Sequence, residues 1–249
     1  MFATVTPIIP QPSAAFVVLD LETGNAPTQA IAAAMEEWKA PGNWKPDTVA
    51  AKRREAAEKI IEKAALLDAS PILCVAIQTD RTRLILNGMD ASAPEIDGWP
   101  VMPCGDERGL IQALRFWLDT NTTAETTVVG HNIRAFDLPK LRHAYVRHSL
   151  RLPEILKPRL RDENKAETVD TASLFKAFSM EHRDDFCPSL DTVAASFGIP
   201  RPKQHMSGAE CPRLFQDGQI ATVLTYCAVD VATTTRAYQL MTANAPDLD

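Results

Sequence analysis

Asp20 and Glu22 stand two residues apart at the end of an apolar run, Phe16-Val17-Val18-Leu19. In a strand, positions i and i+2 project from one face, so both carboxylates point the same way. Two acids side by side on a buried strand repel, and burying either one unpaired is costly. A divalent cation relieves both problems, because hard cations take oxygen ligands. Taken alone, however, the spacing favours a strand that simply ends in a solvated turn before Thr23-Gly24. A second group is Gly130-His131-Asn132-Ile133-Arg134-Ala135-Phe136-Asp137. Here a strand ends, a turn follows, and Asp137 opens a helix beside the strand end, where sheet-based α/β proteins keep their sites. An N-cap aspartate satisfies the same pattern equally well. The third group is Tyr226 and Asp230, four apart on an apolar helical stretch and therefore on one face. A Tyr–Asp hydrogen bond or an exposed aspartate explains that isolated pair more simply than catalysis does.

In order and type, Asp20-x-Glu22, Asn132-x3-Phe136-Asp137 and Tyr226-x3-Asp230 resemble the three exonuclease motifs of the DEDD 3′–5′ exonuclease superfamily. A histidine-branch member would carry His five residues before the last Asp, and that position is Thr225, so the resemblance is to the tyrosine branch. The Asn and Phe of the middle motif are most similar to the proofreading exonuclease domain of family B DNA polymerases and its stand-alone, often phage-encoded, relatives. The likeness runs over residues 16–240, apart from a helical insertion.

The resemblance implies a ribonuclease H-like α/β fold and metal-dependent hydrolysis at single-stranded 3′ ends, DNA being favoured. Asp20, Glu22, Asp137 and Asp230 would hold two divalent ions, Mg²⁺ or Mn²⁺, with Asp20 bridging both. Tyr226 would orient the attacking water, because a phenol with a pKa of about 10 is a poor base at neutral pH. Leu21 and Phe136 are candidates to wedge and stack on the terminal base, and core packing suits either side chain as well. Thr23 is placed to meet the terminal sugar, Asn132 to contact the strand or fix its loop, and Lys203 to reach substrate from the loop before the last helix. His131 is read as a loop residue without a catalytic role. Residues 134–161 carry eight Lys and Arg against two acids, and such a segment either follows a phosphate backbone or is a solvated face.

The elements that must position these residues are visible as patterns. Residues 16–22, 72–77, 83–87 and 126–130 read as strands, the second and third as a hairpin. Residues 26–67 hold Trp38, Trp44 and a long helical stretch that Asp47 or Thr48 would cap, with Glu55 and Lys59 as a supporting pair. They are read as a helical insertion after the first strand of one domain spanning residues 1–249. A Pro-rich loop follows the hairpin, then an amphipathic helix over 106–119, a helix over 137–148, short helices over 168–178 and 189–197, and a long helix from 220 to 241. The fold class expected is α/β, a mixed central sheet flanked by helices. Residues 1–15 read as a loose leader or a pairing arm.

The chain has 249 residues, 26 Lys and Arg against 32 Asp and Glu, and a formal net charge of −6. That acidic total at first opposes a nucleic-acid partner. The concentration of bases near the second motif, and the acids assigned to metal ions, narrow it to binding that is local, metal-dependent and modest. Five cysteines without a CxxC pair fit a reducing compartment, and Cys227 reads as a small buried hydrophobe. No run is apolar enough to cross a bilayer, and the N-terminal residues lack a basic leader, so the expectation is a cytoplasmic protein of a bacterial or phage-infected cell. A polymerase or replication protein acting in trans is the expected partner. The alternatives are RNA 3′-end trimming and a non-catalytic nucleic-acid-binding or scaffold module.

Overall fold

The computed structural model describes residues 14–89, 94–157, 168–179, 187–200 and 208–244. Lys203, Arg159, Arg161 and most of residues 1–15 lie outside them. The first strand, β1 (Phe16–Thr23), is an apolar, β-branched run buried on both faces, as a sheet covered by helices on each side requires. It pairs antiparallel with β2 (Ile72–Thr79) on one side and parallel with β6 (Thr127–Gly130) on the other. Outward from β2 lie β3 (Arg83–Asn87), β5 (Trp99–Pro103) and β4 (Glu95–Ile96), and outward from β6 lies β7 (Thr168–Asp170). This seven-stranded mixed sheet with β1 near its centre is a ribonuclease H-like α/β fold.

Alternation along β1 sorts its side chains between two cores. Val17, Leu19 and Leu21 pack toward α3 (Glu107–Asn121) and α4 (Asp137–Arg147). The α3 face is the stripe Leu110, Ile111, Leu114 and Leu118, and Asp106 caps the helix by accepting from Gly109 N–H at 2.7 Å. Tyr145 of α4 is fully buried and donates its hydroxyl to the Ile111 carbonyl at 2.7 Å, which ties the two helices together. Val18 faces the other way, toward α7 (Cys211–Gln216) and α8 (Ile220–Asn244), where Val223, Leu224, Cys227, Ala228 and Val231 form the second core. Asp20 and Glu22 follow Val18 on the α8 side.

Between β1 and β2 stand α1 (Thr28–Glu37) and α2 (Pro46–Glu62), followed by a 3-10 turn over Ala64–Leu66. Glu55 of α2 bonds both Lys52 at 2.7 Å and Lys59 at 2.8 Å. The cap differs from the expectation. The helix begins at Pro46 with no side-chain cap, and Asp47 lies in its first turn. A proline at the first helical position needs no N–H partner and has its φ already set, so it opens the helix earlier than a capping residue would.

Two further expectations are corrected. The Pro-rich stretch after the hairpin contains β4 and β5, because a strand near the sheet edge tolerates proline and β5 bonds β3 only through residues 101–103. The stretch over 168–178 opens as β7 before α5 (Thr171–Phe175) begins, since β6 offers Thr168–Asp170 a parallel edge that local pattern does not reveal. A short helix, α6 (Leu190–Ser196), completes the described α-helices.

Candidate active site

Asp20, Glu22 and Asp230 converge where the carboxyl end of β1 meets the middle of α8. One carboxylate oxygen from each lies within 4.8 Å of the others. Glu22 is buried, and Asp20 and Asp230 are half-buried. Cys227, one turn before Val231 on α8, donates its thiol to the Asp20 carbonyl at 3.4 Å and approaches Asp20 Oδ2 at 3.6 Å. It is the buried small residue expected, and it also braces the strand end that carries Asp20. Tyr226 lines the same cavity one turn from Asp230. Burial pushes its phenol well above the ordinary value, and the charges of Asp230, Glu22 and Asp20 push the same way. Both effects favour the protonated hydroxyl at neutral pH.

Asp137 is the first residue of α4, with Phe136 as the N-cap, so it is not the capping aspartate its position suggested. Its Oδ1 accepts the Leu21 N–H at 3.2 Å. The ladder between β1 and β6 stops at Val18–Val129, and past it a side chain takes the place of the missing strand partner. Asp137 is 2% exposed and lines the cavity, but it stands outside the three-acid group. Burial pushes its carboxyl far above the usual carboxylate range, against the pull of its own and the Leu21 N–H, and the charges of Asp170 and Asp230 add to the rise. An ionised Asp137 is costly here without a cation nearby.

The turn that delivers Asp137 is built by a residue the sequence did not single out. Asp170, at the end of β7, accepts from Asn132 N–H at 3.0 Å, Arg134 N–H at 3.3 Å and Ala172 N–H at 3.0 Å. Asn132 itself has φ +56°, a left-handed conformation that asparagine tolerates better than most side chains. A Cβ on Gly130 would sit 2.6 Å from Ile133 Cδ1, so the turn closes only over glycine. His131 bridges Thr171 Oγ1 at 3.0 Å and the Pro188 carbonyl at 2.9 Å, joining this turn to the segment before α6.

The cavity they enclose has a volume of about 600 Å³ and is walled by β1, the 130–137 turn, residues 187–190, Gly208-Ala209, α8 and the end of the insertion. Three acids so close repel one another unless a cation lies between them, and an all-oxygen donor set suits a hard divalent ion. Residues 102–248 match the family described as predicted 3′–5′ exonucleases related to the exonuclease domain of PolB. The chain belongs to this family. Its substrate is accordingly nucleic acid, and its reaction is phosphodiester hydrolysis. The matched span contains Asn132, Phe136, Asp137, Tyr226 and Asp230, whereas Asp20 and Glu22 precede it. No curated protein matches the chain.

The exonuclease places the remaining sequence candidates unevenly. Leu21 is 3% exposed and belongs to the core beneath α4, although its edge reaches the cavity. Phe136 is half-buried against the same core and also lines the cavity, with the Lys140 ammonium 5.7 Å from its ring centre. The Thr23 hydroxyl donates to the Ala65 carbonyl at 2.9 Å. Asn132 lines the cavity, and its side-chain oxygen receives the Cys187 thiol at 3.7 Å.

Among the described bases of the segment after the second motif, Arg151 is exposed and the other five bond acceptors within the protein. Lys140 is 3% exposed and donates to the carbonyls of Ala65 and Leu67 and to the Ser70 hydroxyl. Burial lowers its pKa to about 8. Arg142 bonds the Leu156 carbonyl at 2.9 Å, Arg147 bonds Glu107 at 2.6 Å, Arg134 reaches the Thr168 carbonyl, and Lys157 pairs with Glu154. Charge counted along the chain does not reveal which cations are already committed to internal acceptors. No described helix is long and apolar enough to cross a membrane.

Proposed function

We propose that this exonuclease removes nucleotides from single-stranded 3′ ends, DNA in preference to RNA, with two divalent ions, Mg²⁺ or Mn²⁺. The observation that carries the reading is the convergence of Asp20, Glu22 and Asp230 within 4.8 Å, beside Asp137 and Tyr226 in one cavity. Asp20, Glu22 and Asp230 would hold one ion, and Asp137 with Asp20 would anchor the other. Bound there, the ions supply charge stabilisation at the phosphate and leaving 3′ oxygen and a water acidified for attack. The preference for DNA rests on the relation of the family to a DNA polymerase exonuclease domain.

The protein's own contribution is placement. β1 fixes Asp20 and Glu22 on one face of the sheet, and α8 brings Asp230 and Tyr226 to the same point. Tyr226 keeps its proton, so its hydroxyl orients the attacking water rather than deprotonating it. Asn132 and Phe136 line the floor on which the terminal nucleotide rests, and Leu21 and Thr23 form the strand end beneath it. Lys203, which lies outside the described residues, remains a candidate substrate contact.

The test is a time course with 5′-labelled single-stranded DNA, duplex DNA and RNA, each with Mg²⁺ or Mn²⁺ and with a chelator. The expected result is a ladder shortened from the 3′ end, fastest on single-stranded DNA and absent with the chelator. Endonucleolytic products would overturn the proposal, and faster shortening of RNA would replace its substrate. Tyr226→Phe is expected to lower kcat by about 10²-fold through loss of water orientation. The rise in Tm that Mn²⁺ produces should stay the same, and a variant that no longer responds to Mn²⁺ would show that the hydroxyl serves metal binding instead.

A further inference from the structure

The end of the helical insertion forms one wall of the catalytic cavity. Lys63, Ala65 and Leu66 line it together with Asp20, Glu22 and Asp137. This wall is a fixed piece of backbone. The Ala65 carbonyl receives the hydroxyls of Thr23 at 2.9 Å and Ser70 at 2.7 Å and the Lys140 ammonium at 3.2 Å. Ala26 N–H bonds the Ala64 carbonyl at 3.3 Å, Gly24 N–H bonds the Pro71 carbonyl at 2.9 Å, and Ala64 is buried. Thr23 adjoins Glu22, and Lys140 lies on the helix that Asp137 opens, so the wall is held by the two elements that carry catalytic carboxylates.

On that fixed turn, Leu66 stands 57% exposed. Single exposed leucines are ordinary on a protein surface. This one lies on a hydrogen-bonded turn at the rim of a site that must hold a nucleobase. Lys63 closes α2 at its C-terminal end. Among the described residues it is the one Lys or Arg that lines the cavity. Of the described bases that follow the second motif, Arg134, Lys140, Arg142, Arg147 and Lys157 already bond acceptors within the protein. A single-stranded substrate needs an apolar surface for its base faces and a cation for its backbone, and neither requirement depends on sequence.

We infer that Lys63 and Leu66 bind the substrate strand: Leu66 packs on the face of the 3′-terminal base, and Lys63 pairs with a backbone phosphate upstream of the scissile one. The inference rests on the exonuclease reading and assigns the insertion a part in it. Lys63 and Leu66 act on binding, so substitution moves KM and leaves kcat in place.

The experiment compares wild type, Lys63→Gln, Leu66→Ala and, as a control, Ile61→Ala, which is equally exposed on α2 but does not line the cavity. Binding of fluorescein-labelled oligothymidylate is followed by anisotropy in Ca²⁺ over a range of salt. Cleavage is followed on the oligonucleotide and on the p-nitrophenyl ester of thymidine 5′-monophosphate, which has no upstream phosphate. Lys63→Gln should weaken oligonucleotide binding about tenfold at low salt and reduce the log–log salt slope by about 0.7. It should leave the ester unaffected. Leu66→Ala should raise KM about tenfold for both substrates without changing the salt slope. Ile61→Ala should match wild type. A wild-type protein that cleaves while both variants keep its KM and salt slope overturns this inference alone. A wild-type protein that cleaves neither substrate overturns the exonuclease reading, and this inference with it.

Discussion

Asp20→Ala is expected to reduce 3′-end shortening by at least about 10³-fold, on the order of 4 kcal/mol of transition-state stabilisation. Asp20 sits on the near-central strand of the sheet and belongs to the group whose three oxygens lie within 4.8 Å. It is also the residue proposed to serve both ions, so no neighbour can replace it. The fold should survive, because removing one of three mutually repelling acids relieves strain in the metal-free protein. The metal-free Tm should therefore be unchanged or higher than that of wild type. The rise in Tm produced by Mn²⁺, which reports binding to the folded state, should disappear. Activity, metal-free Tm and the Mn²⁺-dependent shift measured on one preparation make a three-part signature. Retained activity, or a retained metal shift, would remove Asp20 from the role proposed for it.

The second large effect is expected at Asp170, and it falls on stability. Asp170 is 5% exposed, and its carboxylate accepts three backbone N–H groups that hold the Asn132 turn and the start of α5. Asp170→Ala removes the acceptor of three N–H groups, that of Ala172 buried and those of Asn132 and Arg134 partly so, at a cost of about 2 kcal/mol. One opposing contribution exists, since the Asp170 charge raises the pKa of Asp137 and its removal makes ionised Asp137 less costly. Three charge-assisted hydrogen bonds outweigh that single Coulombic gain. Denaturant unfolding should show a lower midpoint with an unchanged slope. Activity should fall with it, because the turn that delivers Asp137 loses its anchor. Asp170→Asn, which keeps an acceptor oxygen, should recover part of the stability. An Asp170→Ala protein as stable as wild type would mean that water satisfies the turn in place of the carboxylate.

Legibility in the sequence followed the range of the interaction concerned. Asp20 and Glu22 share a face because a strand repeats every two residues, and Tyr226 and Asp230 share one because a helix brings i and i+4 together. Such local rules hold before any tertiary contact forms; they paired these side chains, and the family resemblance of the three motifs together then implied the carboxylate set, the fold and the class of reaction. The strands over 94–103 and 168–170 were hidden for the opposite reason. Proline and short length argue against strand locally, and only β3 and β6 as neighbours make those segments pair.

Charge was legible as a total and misleading as a location. A run of bases beside the second motif suggested a phosphate path, yet Lys140 is enclosed by Ala65, Leu67 and Ser70, some seventy positions away in the chain. Asp170 grips Asn132 from 38 residues away, and no spacing rule anticipates that bond. By itself, the sequence determined which side chains share an element face, and the order of its three motifs carried the family resemblance that implied the set of acids. The tertiary structure alone decided that three of those acids meet while Asp137 stands apart, held by the Leu21 N–H. It alone decided which cations are left for a substrate and that the insertion closes one side of the cavity. The physical reason is the same in each case. Buried donors and acceptors must find partners wherever the chain passes, and those partners are set by packing between distant elements rather than by the pattern along any one of them.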